Sequence, residues 1–85
     1  MENKEIMKRL EKEMDLAMEI ALENRERGMK DNDETWLRQA RESMNDAIQT
    51  AYIMFKLDLI SLGDFRDKRK LLVDRFYGVD GAYYG

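Results

Sequence analysis

Apolar residues return every three or four positions through two long stretches of the chain. Met7, Leu10, Met14, Ala17 and Ala21 form one such stripe; Leu37, Ala40, Met44, Ala47, Ala51 and Met54 form another. That spacing places each set on one face of an α-helix and predicts helices over about residues 3–27 and 33–59. Gly28 is suited to end the first helix in the left-handed conformation that glycine adopts without a Cβ clash. The short polar stretch Met29-Lys30-Asp31-Asn32-Asp33 follows, with Asp31 or Asp33 as the N-cap of the second helix. Two helices of equal length joined this closely imply an antiparallel hairpin. Counting outward from the turn sets Ala21 near Ala40, Met14 near Ala47 and Leu10 near Ala51. Large side chains then face small ones, and the backbones can approach closely.

The segment Ile60-Ser61-Leu62-Gly63-Asp64-Phe65 carries the sharpest local signal. Ser61 fits an N-cap, Asp64 stands three residues later, and Ile60 and Phe65 are spaced as a hydrophobic staple. A third helix is therefore expected over about residues 62–77, with Leu62, Phe65, Leu72 and Phe76 on its apolar side. Gly78 closes it, and Val79 is placed to touch Val73 beyond the cap. Ile60, Ser61, Asp64, Phe65, Lys68, Arg69 and Leu72 also stand at the positions of the short C-terminal helical motif called SHOCT, which residues 60–73 resemble. Leu59 occupies the place where that motif usually has glycine. The resemblance implies a role in assembly and transfers no catalytic residue. Residues 1–79 read as one all-α domain and residues 80–85 as a tail. Tyr83 and Tyr84 make that tail either a docking peptide or an unstructured end.

Apolar side chains outnumber the stripe positions. Leu16, Met18, Ile20 and Leu22 spread around the first helix; Trp36, Ile48, Tyr52, Ile53, Phe55 and Leu59 spread around the second. A third helix of about 24 Å would reach little more than halfway back along the hairpin. The end near the turn, with Met18, Leu22, Met29, Trp36 and Leu37, is then left uncovered. A homodimer or larger helical bundle would cover it, with Met18, Leu22, Ile48 and Tyr52 as the expected oligomer interface.

Composition narrows the chemistry. In 85 residues there is no cysteine, histidine or proline, and 39% of positions are charged. Disulfides, zinc–thiolate sites and imidazole catalysis are excluded, and no cofactor is implied. Fifteen basic residues against eighteen acidic leave −3, too balanced to mark a nucleic-acid binder. No apolar run approaches a membrane span and no signal peptide opens the chain, so a cytoplasmic location is expected.

Three candidate chemistries remain. Glu23 and Glu26 match the first E-x-x-E pair by which all-α nucleotide pyrophosphatases of the MazG type hold magnesium. Glu42 could begin the second pair, but Asn45 stands where that pattern needs aspartate and Asp46 points about 100° away, so no enzyme is expected. Arg25, Arg27 and Lys30, with Arg38 and Arg41, cluster near the turn and could bind a phosphate-containing ligand, a nucleotide or a nucleic acid. The cations of the third helix, Arg66, Lys68, Arg69, Lys70 and Arg75, alternate with Asp64, Asp67 and Asp74 and read as a salt-bridged face. The expected function is non-catalytic protein binding, as in an adaptor, an assembly factor or a small inhibitor of the kind encoded by phages and mobile elements. Its expected contact residues are Met29, Trp36 and Leu37, flanked by Arg38 and Arg41.

Overall fold

A computed structural model describes residues 2–78, all within or between three helices, with no strand among them. These are α1 (Asn3–Asp31), α2 (Glu34–Lys56) and α3 (Leu62–Tyr77). Val79 and the tail with Tyr83 and Tyr84 lie outside the described residues. No described helix is long and apolar enough to cross a membrane.

The two stripes read from the sequence supply most of the core, with Met7, Leu10 and Ala17 only half-buried at its edge and Met18 buried from outside the stripe. Met14, Met18 and Ala21 of α1 are buried with Ala40, Met44, Ala47, Ala51 and Met54 of α2. Most contact between elements is made by α1 and α2, while α3 touches α2 more than α1. The longest dimension is 44 Å, close to the length of the 29-residue α1 alone. Phe65, Leu72 and Phe76 complete the core from α3.

The helix ends depart from expectation in instructive ways. Gly28 does not end α1; it is buried inside the helix, which runs on to Asp31. A Cβ at Gly28 would lie 2.7 Å from Leu37 Cδ2 and 3.0 Å from the Leu37 backbone nitrogen. Glycine is therefore required here for close approach and not for a left-handed turn. That turn falls to Asn32, at φ 51°, and the Asp33 N–H reaches back to the Gly28 carbonyl at 2.9 Å. This is the six-to-one bond of a Schellman cap, with asparagine in glycine's usual place. Asp33 then caps α2 by accepting from the Thr35 N–H at 2.9 Å. The two predicted cap positions thus resolve in favour of Asp33.

α2 stops at Lys56, three residues short of expectation, because Asp58 turns left-handed at φ 60°. The Leu59 N–H bonds to the Met54 carbonyl at 2.9 Å, so the same type of cap recurs. Ser61 Oγ accepts from the Asp64 N–H at 3.0 Å, with Phe65 buried and Ile60 half-buried, as the staple requires.

α3 also reaches farther than its length suggested. The Arg25 guanidinium donates to the Phe76 carbonyl and, at 3.4 Å, to that of Arg75. An arginine of α1 thus caps the carbonyl end of α3, where the last turn leaves acceptors open and the helix dipole favours a cation. Phe76 and Met18 are fully buried. Met18 therefore belongs to the core and has no surface for a second copy, contrary to its expected place in an oligomer interface.

Candidate functional site

The connector end of α1 and α2 is assembled from two adjacent pairs. Arg27 lies over the Trp36 ring at 4.6 Å, and Gly28 backs onto Leu37. The missing Cβ at Gly28 lets α2 come close enough for the neighbouring guanidinium to cover the indole. Such a cation–π contact at an exposed site stabilises by about 0.5–1 kcal/mol. The Asn32 and Asp33 caps satisfy the helix ends beside this stack.

Around it the expected contact residues sort by exposure. Met29 is 52% exposed, an outward apolar side chain one position from a buried glycine. Trp36 and Leu37 are half-buried, and Arg38 is exposed. Arg41 pairs with Glu34 at 3.0 Å along the same helix. The geometry therefore joins Arg27 with Trp36 and Gly28 with Leu37, and leaves Met29 exposed on α1, outside both pairs. The end is less bare than the sequence implied, since Leu22, Trp36 and Leu37 are each half-buried within the single chain.

The cations expected for phosphate have other engagements. Arg25 holds α3, Arg27 covers Trp36 and Arg41 meets Glu34. Lys30 remains exposed, but it shares a shallow depression with Glu23, Glu26, Arg27 and Asp31, which mixes both signs. Glu23 and Glu26 are exposed, and no cluster of acidic side chains that could hold a metal ion occurs among the described residues.

Of the remaining expected interface residues, Leu22 and Ile48 pack at the edge of the core, and Tyr52 is 40% exposed. Tyr52 belongs to an arrangement that periodicity alone did not reveal. Its ring meets Phe65 edge-on at 5.6 Å and lies 6.1 Å from Phe55, and Phe55 stacks on Phe65 at 6.2 Å. Arg69 covers Phe65 at 5.5 Å and Lys56 approaches Tyr52 at 5.9 Å. The Tyr52–Phe55 spacing of three, followed by the staple at Phe65, was the available clue. Arg25 had none, because its partners are backbone carbonyls and every residue has one. Comparison of the chain with protein-family models, with curated proteins and with solved structures finds no match.

Proposed function

We propose that this chain is a non-catalytic protein-binding module, an adaptor, assembly factor or small inhibitor, built as an antiparallel hairpin of α1 and α2 with α3 laid against it. The 44 Å longest dimension supports the hairpin, since two helices of this length placed end to end would span nearly twice that. The observation that supports the function is the connector end: Trp36 lies half-buried under the Arg27 guanidinium, and the same end of α1 exposes Met29 on another face. Rigid aromatic anchors flanked by arginine are what protein interfaces concentrate, because little side-chain freedom is lost on binding. Met29, with its flexible thioether, adds adaptable apolar area. Arg38 and Arg41 form the polar rim.

The proposal includes self-association. Leu16, Leu57 and Leu71 are each more than half exposed, apolar side chains that a second copy would cover. The likeness of residues 60–73 to an assembly motif points the same way. A phosphate-binding role is weaker, since Arg25, Arg27 and Arg41 are already engaged within the chain.

The test is capture of partners from the native host by the wild-type chain, Trp36→Ala and Met29→Glu, with helicity checked by circular dichroism. Loss of one specific partner in both variants, with the fold retained, supports the assignment. Undiminished capture by folded Trp36→Ala removes it, and capture that collapses steeply with added salt would favour a phosphate ligand instead.

A further inference from the structure

The core positions of α2 and α3 lie on one uninterrupted register. Stepping by three or four from Ala47, Ala51 and Met54, all buried, the next places are Asp58, Ser61, Phe65, Lys68, Leu72 and Phe76, of which Phe65, Leu72 and Phe76 are again buried. Only Asp58 and Ser61 break the stripe where the chain bends. The bend itself, Leu57 to Ile60, contains neither glycine nor proline, and it holds a non-glycine residue, Asp58, left-handed. Aspartate is among the few non-glycine residues that adopt that conformation, and it does so at more cost than glycine. A straight helix through this segment would place Asp58 and Ser61 in the stripe and give up the Ser61 cap and the Ile60–Phe65 staple.

Straightening also creates a second row. Ile53, Leu57 and Ile60 follow at steps of four and three on an adjacent face of such a helix, roughly 110° around from the core stripe. In the bent chain Ile53 is 44% and Leu57 54% exposed. Neither belongs to the buried core, while Ile60 packs at its edge. On a continuous helix they form one apolar strip at the crossing point, the kind of seam a second identical helix covers.

We propose that α3 exchanges between two copies of this chain. In the exchanged dimer α2 and α3 form one helix, and α3 of each copy lies on α1 and α2 of the other. Phe65, Leu72 and Phe76 fill the same seat, and Arg25 caps the other copy's carbonyls. The two crossing segments bury Ile53, Leu57 and Ile60 against each other. Asp58 and Ser61 set the balance between bent and straight forms. The inference rests on the self-association part of the proposed function and gives it a mechanism; it does not involve Met29 or Trp36.

Three variants and one spectroscopic contact test it, on the whole chain. Asp58→Ala, which disfavours the left-handed turn, should tighten dimerisation about tenfold relative to Asp58→Gly, which permits it. Leu57→Glu should abolish the dimer while leaving helicity unchanged, because Leu57 is exposed in the bent chain. Light scattering at millimolar concentration reads the mass against 10.1 kDa for one copy. In a dimer mixed from isotope-labelled and unlabelled chains, the Tyr52–Phe65 ring contact should appear between copies. A dimer that survives Leu57→Glu, or shows that contact only within copies, overturns exchange and leaves self-association standing. Wild-type and Asp58→Ala chains that both remain single particles overturn exchange and self-association together, and leave the Trp36 test unaffected.

Discussion

The α1–α2 seam and the seat of α3 are both buried, yet they are built from opposite materials. The seam sets Gly28, Ala21, Ala40, Ala47 and Ala51 among four buried methionines, so the two backbones approach closely at the small positions and the methionines fill the space between. The seat uses Phe65, Leu72 and Phe76, with Tyr52 and Phe55 at its edge. Small residues fix a single register, because any side chain added there has nowhere to go. Rings fill a wide gap between fewer neighbours and depend on each one being present. The seam should therefore be damaged by additions and the seat by deletions.

The largest effect expected is from Phe76→Ala. Emptying a fully buried ring site should cost about 3–5 kcal/mol in urea unfolding. Because α3 is the least connected helix, amide protection should fall first over residues 62–77. Equal loss across α1 and α2 would mean the two regions are one unit. Ala47→Leu probes the seam by addition and should cost about 1–3 kcal/mol, read from the urea midpoint at unchanged slope. Gly28→Ala sharpens the point. Within a helix that change ordinarily gains about 1 kcal/mol, but here the added carbon meets Leu37, so a net loss is expected. A gain in thermal midpoint would show that Leu37 can step aside. The smallest effect is Lys70→Ala, which breaks a 3.2 Å pair with Asp74 on the outer side of α3. That pair is mostly solvated and should contribute no more than about 0.5 kcal/mol, vanishing in high salt.

Much of this contrast was legible in the residues. The stripes of α1 and α2 named Met14, Ala21, Ala40, Met44, Ala47, Ala51 and Met54, all buried, because a 3.6-residue period maps directly onto one face. Ser61 announced α3 because capping is a local interaction. What failed was everything that depends on a neighbour. Gly28 fits a helix end and a close crossing equally well, and only the position of Leu37 decides between them. Asp58 carries no mark of its left-handed turn, so α2 read three residues too long. Met18 looked available because the reach of α3 was judged from length alone, without the arginine that receives its far end. At the connector, Trp36 was identifiable, but its partner Arg27 had been grouped with cations awaiting an anion.

The bond from Arg25 to the last carbonyls of α3 has a consequence for how the molecule forms. Nearly every other stabilising feature of a helix end here is supplied within a few residues of it. The C-terminal turn of α3 instead depends on a residue fifty positions earlier, already set in place by α1 lying against α2. Loop closure over that distance must be paid before the turn is rewarded. A peptide of residues 61–78 should accordingly fray at its far end. In the whole chain that turn should be the last to gain amide protection in pulse-labelled refolding, after the paired rods have formed and presented the guanidinium.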